Sequence, residues 1–252
     1  MTSAPNPQTP SPVPPRHRRR RYWLIGLLPA LLGLIVGFFV LREGLLPARF
    51  TPLPLINIDD GSTWLTDWRL RELKYDRALC RRAISARAIS ARPVPDRPLI
   101  NGCGWVNAVR VRNVGGARLN VRRLSCETAA ATAMWVAHDV QPVAREIFGV
   151  PVTAIRHGGV YSCRNIVGSR FWAKTRSEHA SANAIDISGF TLANGQTISL
   201  ARDWTRRGKK ARFLREIHRR SCRYFRVSLG PNFNRAHHDH FHFDRGLLST
   251  CR

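Results

Sequence analysis

Acidic residues are scarce in this chain: 16 Asp and Glu stand against 41 Lys and Arg over 252 residues, a formal net charge of +25. The imbalance narrows the partners to anionic ones: a nucleic acid, a membrane surface or an acidic polymer, with solubility alone as the plain alternative. Cysteine is missing from the whole stretch before Cys80, and the spacing C-x-x-C never occurs, which removes a zinc knuckle and a dithiol redox site. No internal repeat is visible, so a solenoid is not indicated. Hydrophobic content of 44% is enough for one good-sized domain plus extensions.

The N-terminus is read as three pieces. Residues 1–21 begin with Pro5, Pro7, Pro10, Pro12, Pro14 and Pro15 among Ser, Thr and Asn, without apolar periodicity, and end in the cluster R-H-R-R-R-R. Such a segment buries too little surface to offset its ordering entropy and reads as a disordered basic tail. Residues 22–41 carry no charge and at helical rise span about 30 Å, the thickness of a bilayer core. They read as a transmembrane signal anchor, with the arginines cytoplasmic and the remainder on the periplasmic side of a bacterial inner membrane. A cleaved signal peptide fits less well, because L-R-E-G-L-L-P-A-R-F is a poor cleavage site. Residues 42–62, with Pro47, Pro52 and Pro54, read as a linker, and 63–252 as the domain.

All six cysteines follow the anchor, and an exported compartment is oxidising, so three disulfides are expected. Choosing the shortest loops gives Cys80–Cys103, Cys126–Cys163 and Cys222–Cys251. Export also removes nucleic acid as a partner and leaves the inner membrane and wall polymers. Nothing in the sequence fixes the oligomeric state.

Within the domain, periodicity predicts a helix from Trp64 to about Ala91 and a hairpin over 105–124 around V-G-G. A long helix after Ser125 closes at Gly149, and a strand follows over 150–157. A-I-D-I-S-G-F reads as a strand, F-T-L-A-N-G-Q-T-I-S-L as a two-residue Asn-Gly hairpin, and Lys209 to Phe225 as a basic helix. Short strands at 226–229 and 239–244 complete the pattern. The fold class is α+β: an antiparallel sheet with flanking helices, preceded by one transmembrane helix.

Histidine is concentrated at one place. N-R-A-H-H-D-H-F-H-F-D holds His237, His238, His240 and His242. In a strand, His238, His240, His242 and Asp244 share one face while Phe241 and Phe243 hold the core face. Imidazoles at i and i+2 can act on a single centre, and imidazole is the commonest metal ligand; a surface histidine patch is the plain alternative. Upstream, T-R-S-E-H-A-S-A-N-A-I-D-I-S-G-F places His179 and Asp186 either side of small residues, with Asp186 between Ile185 and Ile187. A carboxylate among isoleucines is costly unless a cation or donors compensate it. Two histidines and one carboxylate, with an imidazole to spare, form a typical catalytic zinc set.

At these residues the chain resembles the LAS-type zinc peptidases, which include D-Ala-D-Ala carboxypeptidases and murein endopeptidases. Ser177, His179, Ala184 and Asp186 match S-x-H-x-x-G-x-A-x-D, with Ala182 at the glycine position, and His240-Phe241-His242 matches the terminal H-x-H. From about Pro54 to Arg252 it resembles the bacterial extensin-like C-terminal domain family through C-G-W, Y-S-C-R, S-E-H-A-S-A-N-A-I-D, L-G-P-N-F-N and H-H-D-H-F-H-F-D. The resemblance implies zinc held by His179, Asp186 and His242, His240 as general base, and His237 stabilising the tetrahedral intermediate. It implies Arg164 and Ser177 on the substrate, although Arg164 is also one basic residue among 41. The implied function is a membrane-anchored periplasmic zinc peptidase acting on peptidoglycan stem peptides or cross-links. Two rivals stand: an Fe(II) oxygenase using His237-x-Asp239, which lacks a further downstream histidine, and a non-catalytic zinc-containing wall-binding or structural module.

Overall fold

The computed structural model describes residues 17–42, 56–168 and 171–252. The chain divides into two compact units, Met1–Pro54 and Leu55–Arg252. In the first, helix α1 runs His17–Arg42 with Pro29 inside it. Among the described residues, no helix is long and apolar enough to cross a membrane, which corrects the expected transmembrane helix over 22–41. The tail over 1–16 and the linker over 43–55 lie outside the described residues.

The second unit has the order α2 (Thr66–Glu72), α3 (Arg77–Ala83), β1 (Ile89–Pro93), β2 (Arg97–Ile100), β3 (Cys103–Trp105), β4 (Ala108–Val114) and β5 (Ala117–Ser125). There follow α4 (Cys126–Trp135), a π-helical turn (Val136–Val140), α5 (Gln141–Phe148) and β6 (Val152–Gly159). A 3-10 turn (Glu178–Ser181) leads to β7 (Ala184–Leu192), β8 (Thr197–Ser199), α6 (Leu200–Asp203) and α7 (Lys209–Ser221). The chain ends with β9 (Val227–Leu229), a second 3-10 turn (Arg235–His237), β10 (Phe241–Asp244) and β11 (Thr250–Cys251).

The main sheet runs β1-β4-β5-β6-β7-β10-β9-β11, with β8 beside β7. It is mixed, which corrects the all-antiparallel expectation: β5 pairs β6 and β9 pairs β11 in parallel. A parallel neighbour needs a crossover, and α4 through α5 supply one between β5 and β6. The helix expected to run unbroken to Gly149 is interrupted by the π turn just before Pro142. That proline has no N–H for the carbonyl of His138, so the ladder widens there. Gly149 closes α5 in the left-handed region at φ 75° as expected. The Asn-Gly hairpin differs in detail. Gly195 alone takes positive φ, and its N–H bonds to the Leu192 carbonyl at 3.0 Å. The result is a three-residue loop instead of a primed two-residue turn, which needs positive φ at both central positions. The helix expected from Trp64 is split into α2 and α3, and Ile89 already belongs to a strand.

The core packs the helices on one face of the sheet. Trp135 sits at its centre, edge-on to Phe190, Phe225 and Phe243, with its indole N–H donated to the Ile217 carbonyl. Phe241 and Phe243 are fully buried, as the alternation required. His242, between them, therefore projects from the opposite face.

Three disulfides link Cys80–Cys126, Cys103–Cys163 and Cys222–Cys251. The last is the pairing expected; the other two exchange partners. Short loops misled because α3 packs on α4, bringing Cys80 to the helix start at Cys126, while the β2–β3 hairpin brings Cys103 to the loop after β6.

Candidate metal centre

The centre is built on one strand pair. β7 and β10 run antiparallel with His242 directly opposite Asp186, so both side chains leave the same face. The flanking pairs, Phe241 with Ile187 and Phe243 with Ile185, lock the register into the core. The third member arrives on the 3-10 turn before β7, where the Ser177 hydroxyl accepts the His179 N–H at 3.3 Å. That turn ends at Ala182, buried and left-handed at φ 54°. An alanine there costs about 1–2 kcal/mol, the physical reason for glycine at this place in the motif.

His179 donates Nδ1–H to the Val160 carbonyl at 2.8 Å, so its Nε2 keeps a lone pair. His242 donates Nε2–H to Asp244 Oδ2 at 3.0 Å, which leaves a lone pair on Nδ1. Those two nitrogens and Asp186 Oδ1 form a triangle: 3.2 Å between His179 and Asp186, 3.2 Å between His179 and His242, and 3.0 Å between His242 and Asp186. Nitrogen and oxygen ligands at about 2.05 Å from a tetrahedral zinc stand about 3.3 Å apart. Three inward lone pairs repel one another unless a cation or protons lie between them, and the donor set fits zinc. Burial raises the Asp186 carboxyl, but in the metal-free site N–H groups on the facing nitrogens of His179 and His242, where protons take the place of a cation, outweigh it and hold the group far below the carboxylate range. Burial likewise lowers His242, yet its bonds to Asp186 and Asp244 raise it to about 9. A proton and a metal ion therefore compete for the same Nδ1 lone pair.

The remaining histidines sort differently from the expected strand face. β10 begins only at Phe241, so residues before it do not obey the strand's parity. His238 points to solvent, with Nδ1–H on the Arg235 carbonyl at 2.9 Å, and leaves the cluster. The turn that Asn234 caps brings His237 in instead, with its ring 5.3 Å from His240 and 5.7 Å from His242. His237 donates Nδ1–H to Asn234 Oδ1 at 2.7 Å. Burial, with the cationic forms of His242 and His240 and the Arg164 charge, lowers its pKa to about 4 and keeps it neutral.

His240 donates Nδ1–H to Asp239 Oδ1 at 2.8 Å and turns Nε2 toward Asp186 Oδ1, 3.7 Å away. It lies beside the triangle and outside it. Arg164 follows disulfide-bonded Cys163; one guanidinium N–H is donated to the Asn165 carbonyl, and its charge reaches His237. Ser177 is buried, with its hydroxyl committed to the turn.

Several contributors were not assigned from sequence. Asp244 and Asp239 orient His242 and His240, and their positions, two residues after one histidine and one before the other, are the signal that marks them. The Val160 carbonyl has no such signal. Nor has Asn183, whose Oδ1 accepts from Ser125 and Thr128 at the start of α4 while its amide reaches Glu178 Oε2.

The fold and the cluster together define an α+β domain with a partly buried two-histidine, one-carboxylate candidate metal centre on the face of its sheet opposite Phe241 and Phe243. The chain belongs to the Extensin-like protein C-terminus family, whose family model matches residues 78–252. No curated protein matches it. No solved structure matches it either.

Proposed function

We propose that this domain is a zinc-dependent peptidase related to the LAS-type enzymes, cutting amide bonds in peptidoglycan stem peptides or their cross-links. The observation that carries the reading is the triangle of His179, Asp186 and His242 with His240 unliganded beside it. Structural zinc sites are closed by four protein ligands, whereas catalytic ones keep three and an open position. His179, Asp186 and His242 would hold the ion, and zinc, when bound, supplies a Lewis acid for the scissile carbonyl and the attacking water.

The chain's own residues supply the rest. His240, its tautomer fixed by Asp239, presents Nε2 to take a proton and return it to the leaving amine. His237 presents a neutral Nε2 as an acceptor, suited to a substrate N–H, which differs from the oxyanion-stabilising task implied by the family resemblance. Arg164, whose charge reaches His237, would meet a substrate carboxylate. Three disulfides suit an oxidising, exported compartment, where wall peptides are the accessible amides.

The test is metal content with digestion of defined muropeptides. The protein should carry about one zinc per chain and release a product whose mass marks cleavage beside a D-amino acid. Arg164→Ala should raise KM more than it lowers kcat if pentapeptides are trimmed. Cutting of cross-linked dimers alone gives Arg164 another task. Full zinc retention in both His179→Ala and His242→Ala removes the metal assignment. Bound zinc without cleavage of any wall preparation turns the domain into a binding module.

A further inference from the structure

The strands farthest from the metal centre carry a row of arginines. Arg92 of β1 lies directly opposite Arg110 of β4. A bulge in the β4–β5 pairing, where Val109 faces Leu124 and Val111 faces Val121, sets Arg110 against Arg122 and Arg123. The burial alternation turns Arg92, Arg110, Arg112 and Arg122 outward. Neighbours across a sheet stand about 5 Å apart, and like charges directly opposite one another destabilise the pair. Among the described residues, none of these four guanidiniums has a carboxylate within salt-bridge distance.

Most of the row borders an open groove. Arg110, Arg112, Arg122 and Arg123 line a groove of about 680 Å³, walled on one side by residues 94–96 and Trp105. Its acidic lining residue, Asp96, is already committed: one oxygen accepts the Asn107 N–H at 3.0 Å and the other pairs with Arg77. The Trp105 ring is covered by Arg123 at 4.5 Å and by Arg97 at 5.6 Å. No lysine lines the groove. The planar guanidinium fork suits bidentate contact with carboxylate or phosphate, which a point-charge ammonium does not match.

We propose that this groove binds a linear anionic polymer, whose successive carboxylate or phosphate groups bridge the arginine row across β1, β4 and β5. A single extended chain laid along the row relieves the like-charge opposition at each step. The groove shares no residue with the metal centre and does not depend on the peptidase reading; Trp105 borders that side, meeting Tyr161 edge-on at 5.1 Å.

Binding of poly-L-glutamate, inorganic polyphosphate and anionic phosphatidylglycerol vesicles to the full chain tests this without any hydrolysis. Arg110→Gln/Arg122→Gln, both on exposed positions, should weaken polymer binding tenfold or more. Arg81→Gln/Arg82→Gln, an equal charge loss on exposed α3, should change it less than twofold. The tighter of the two polymers then names carboxylate or phosphate as the source. Equal weakening in both variants would mean that bulk charge alone binds, and vesicle binding without polymer binding would mean a membrane surface; either result overturns the proposal. Thermal unfolding of each variant confirms that the fold is retained.

Discussion

Asp244→Asn tests the group that stands behind His242 at the metal centre. Asp244 Oδ2 accepts from His242 while Oδ1 accepts the Gly246 N–H at 2.8 Å. The asparagine keeps the shape and, with its carbonyl on the Gly246 N–H, turns its NH2 to His242 Nε2, so both the negative charge and the acceptor that fixes the His242 tautomer are removed. Outer-shell partners of this kind change metal affinity by about 10–100-fold, or about 1.4–2.8 kcal/mol. Proton competition adds a second signature. Burial lowers His242, but Asp186 and Asp244 together raise it to about 9. At pH 7 a proton then holds the ligand nitrogen in most molecules, and the metal must displace it. Apparent zinc affinity of the natural protein should therefore climb about tenfold per pH unit between roughly pH 7 and 9, then level off. In Asp244→Asn the proton is held less tightly too, so the climb should end at lower pH and the plateau should lie about 10–100-fold weaker. Competition titrations against a chromophoric chelator across that range measure both. An unchanged plateau with an unchanged slope would refute the role of Asp244 and, with it, the His242 tautomer on which the triangle rests.

His240→Ala should retain zinc and lose activity by about 10²–10⁴-fold, measured by metal analysis beside muropeptide turnover; equal metal loss would make His240 a ligand. Peptide mapping should recover Cys80–Cys126 and Cys103–Cys163, and the paired change Cys80→Ala/Cys126→Ala, which opens a separation of 46 residues, should cost about 4 kcal/mol in denaturant titration. Burial against Trp204 and Phe241 lowers His218 to about 4. Because the unfolded chain then takes the proton first, stability present above about pH 6.5 should fall by about 3 kcal/mol as pH drops toward 4, and His218→Gln should flatten that dependence; an unaltered slope would place the acid sensitivity elsewhere.

Local patterns in the sequence determined much of this protein. Alternation around Phe241 and Phe243 fixed which face of β10 is core and therefore which side His242 occupies. The small residues between His179 and Asp186 marked a tight turn into a strand, and Gly149 marked the end of α5. Each rests on near-neighbour geometry, so a single sequence carries it. The histidine run was legible only in part: its strand parity holds from Phe241 onward, while the turn capped by Asn234 brings His237 in and sends His238 out.

Tertiary structure decided what depends on distant partners. The disulfides Cys80–Cys126 and Cys103–Cys163 follow from helix packing and hairpin placement, which loop length does not encode. The parallel pairing of β5 with β6 follows from the crossover through α4 and α5. Arg245 shows the same limit: buried, it reaches Glu127, Asp67 and the Tyr224 carbonyl, and nothing beside it in the chain announces those contacts. Asp186 and His242 lie 56 residues apart, and only the β7–β10 register makes them opposite. A strand's own period of two sets which face a side chain takes; which side chain stands across from it is set by how two strands slide into register, and the shared hydrophobic core makes that choice.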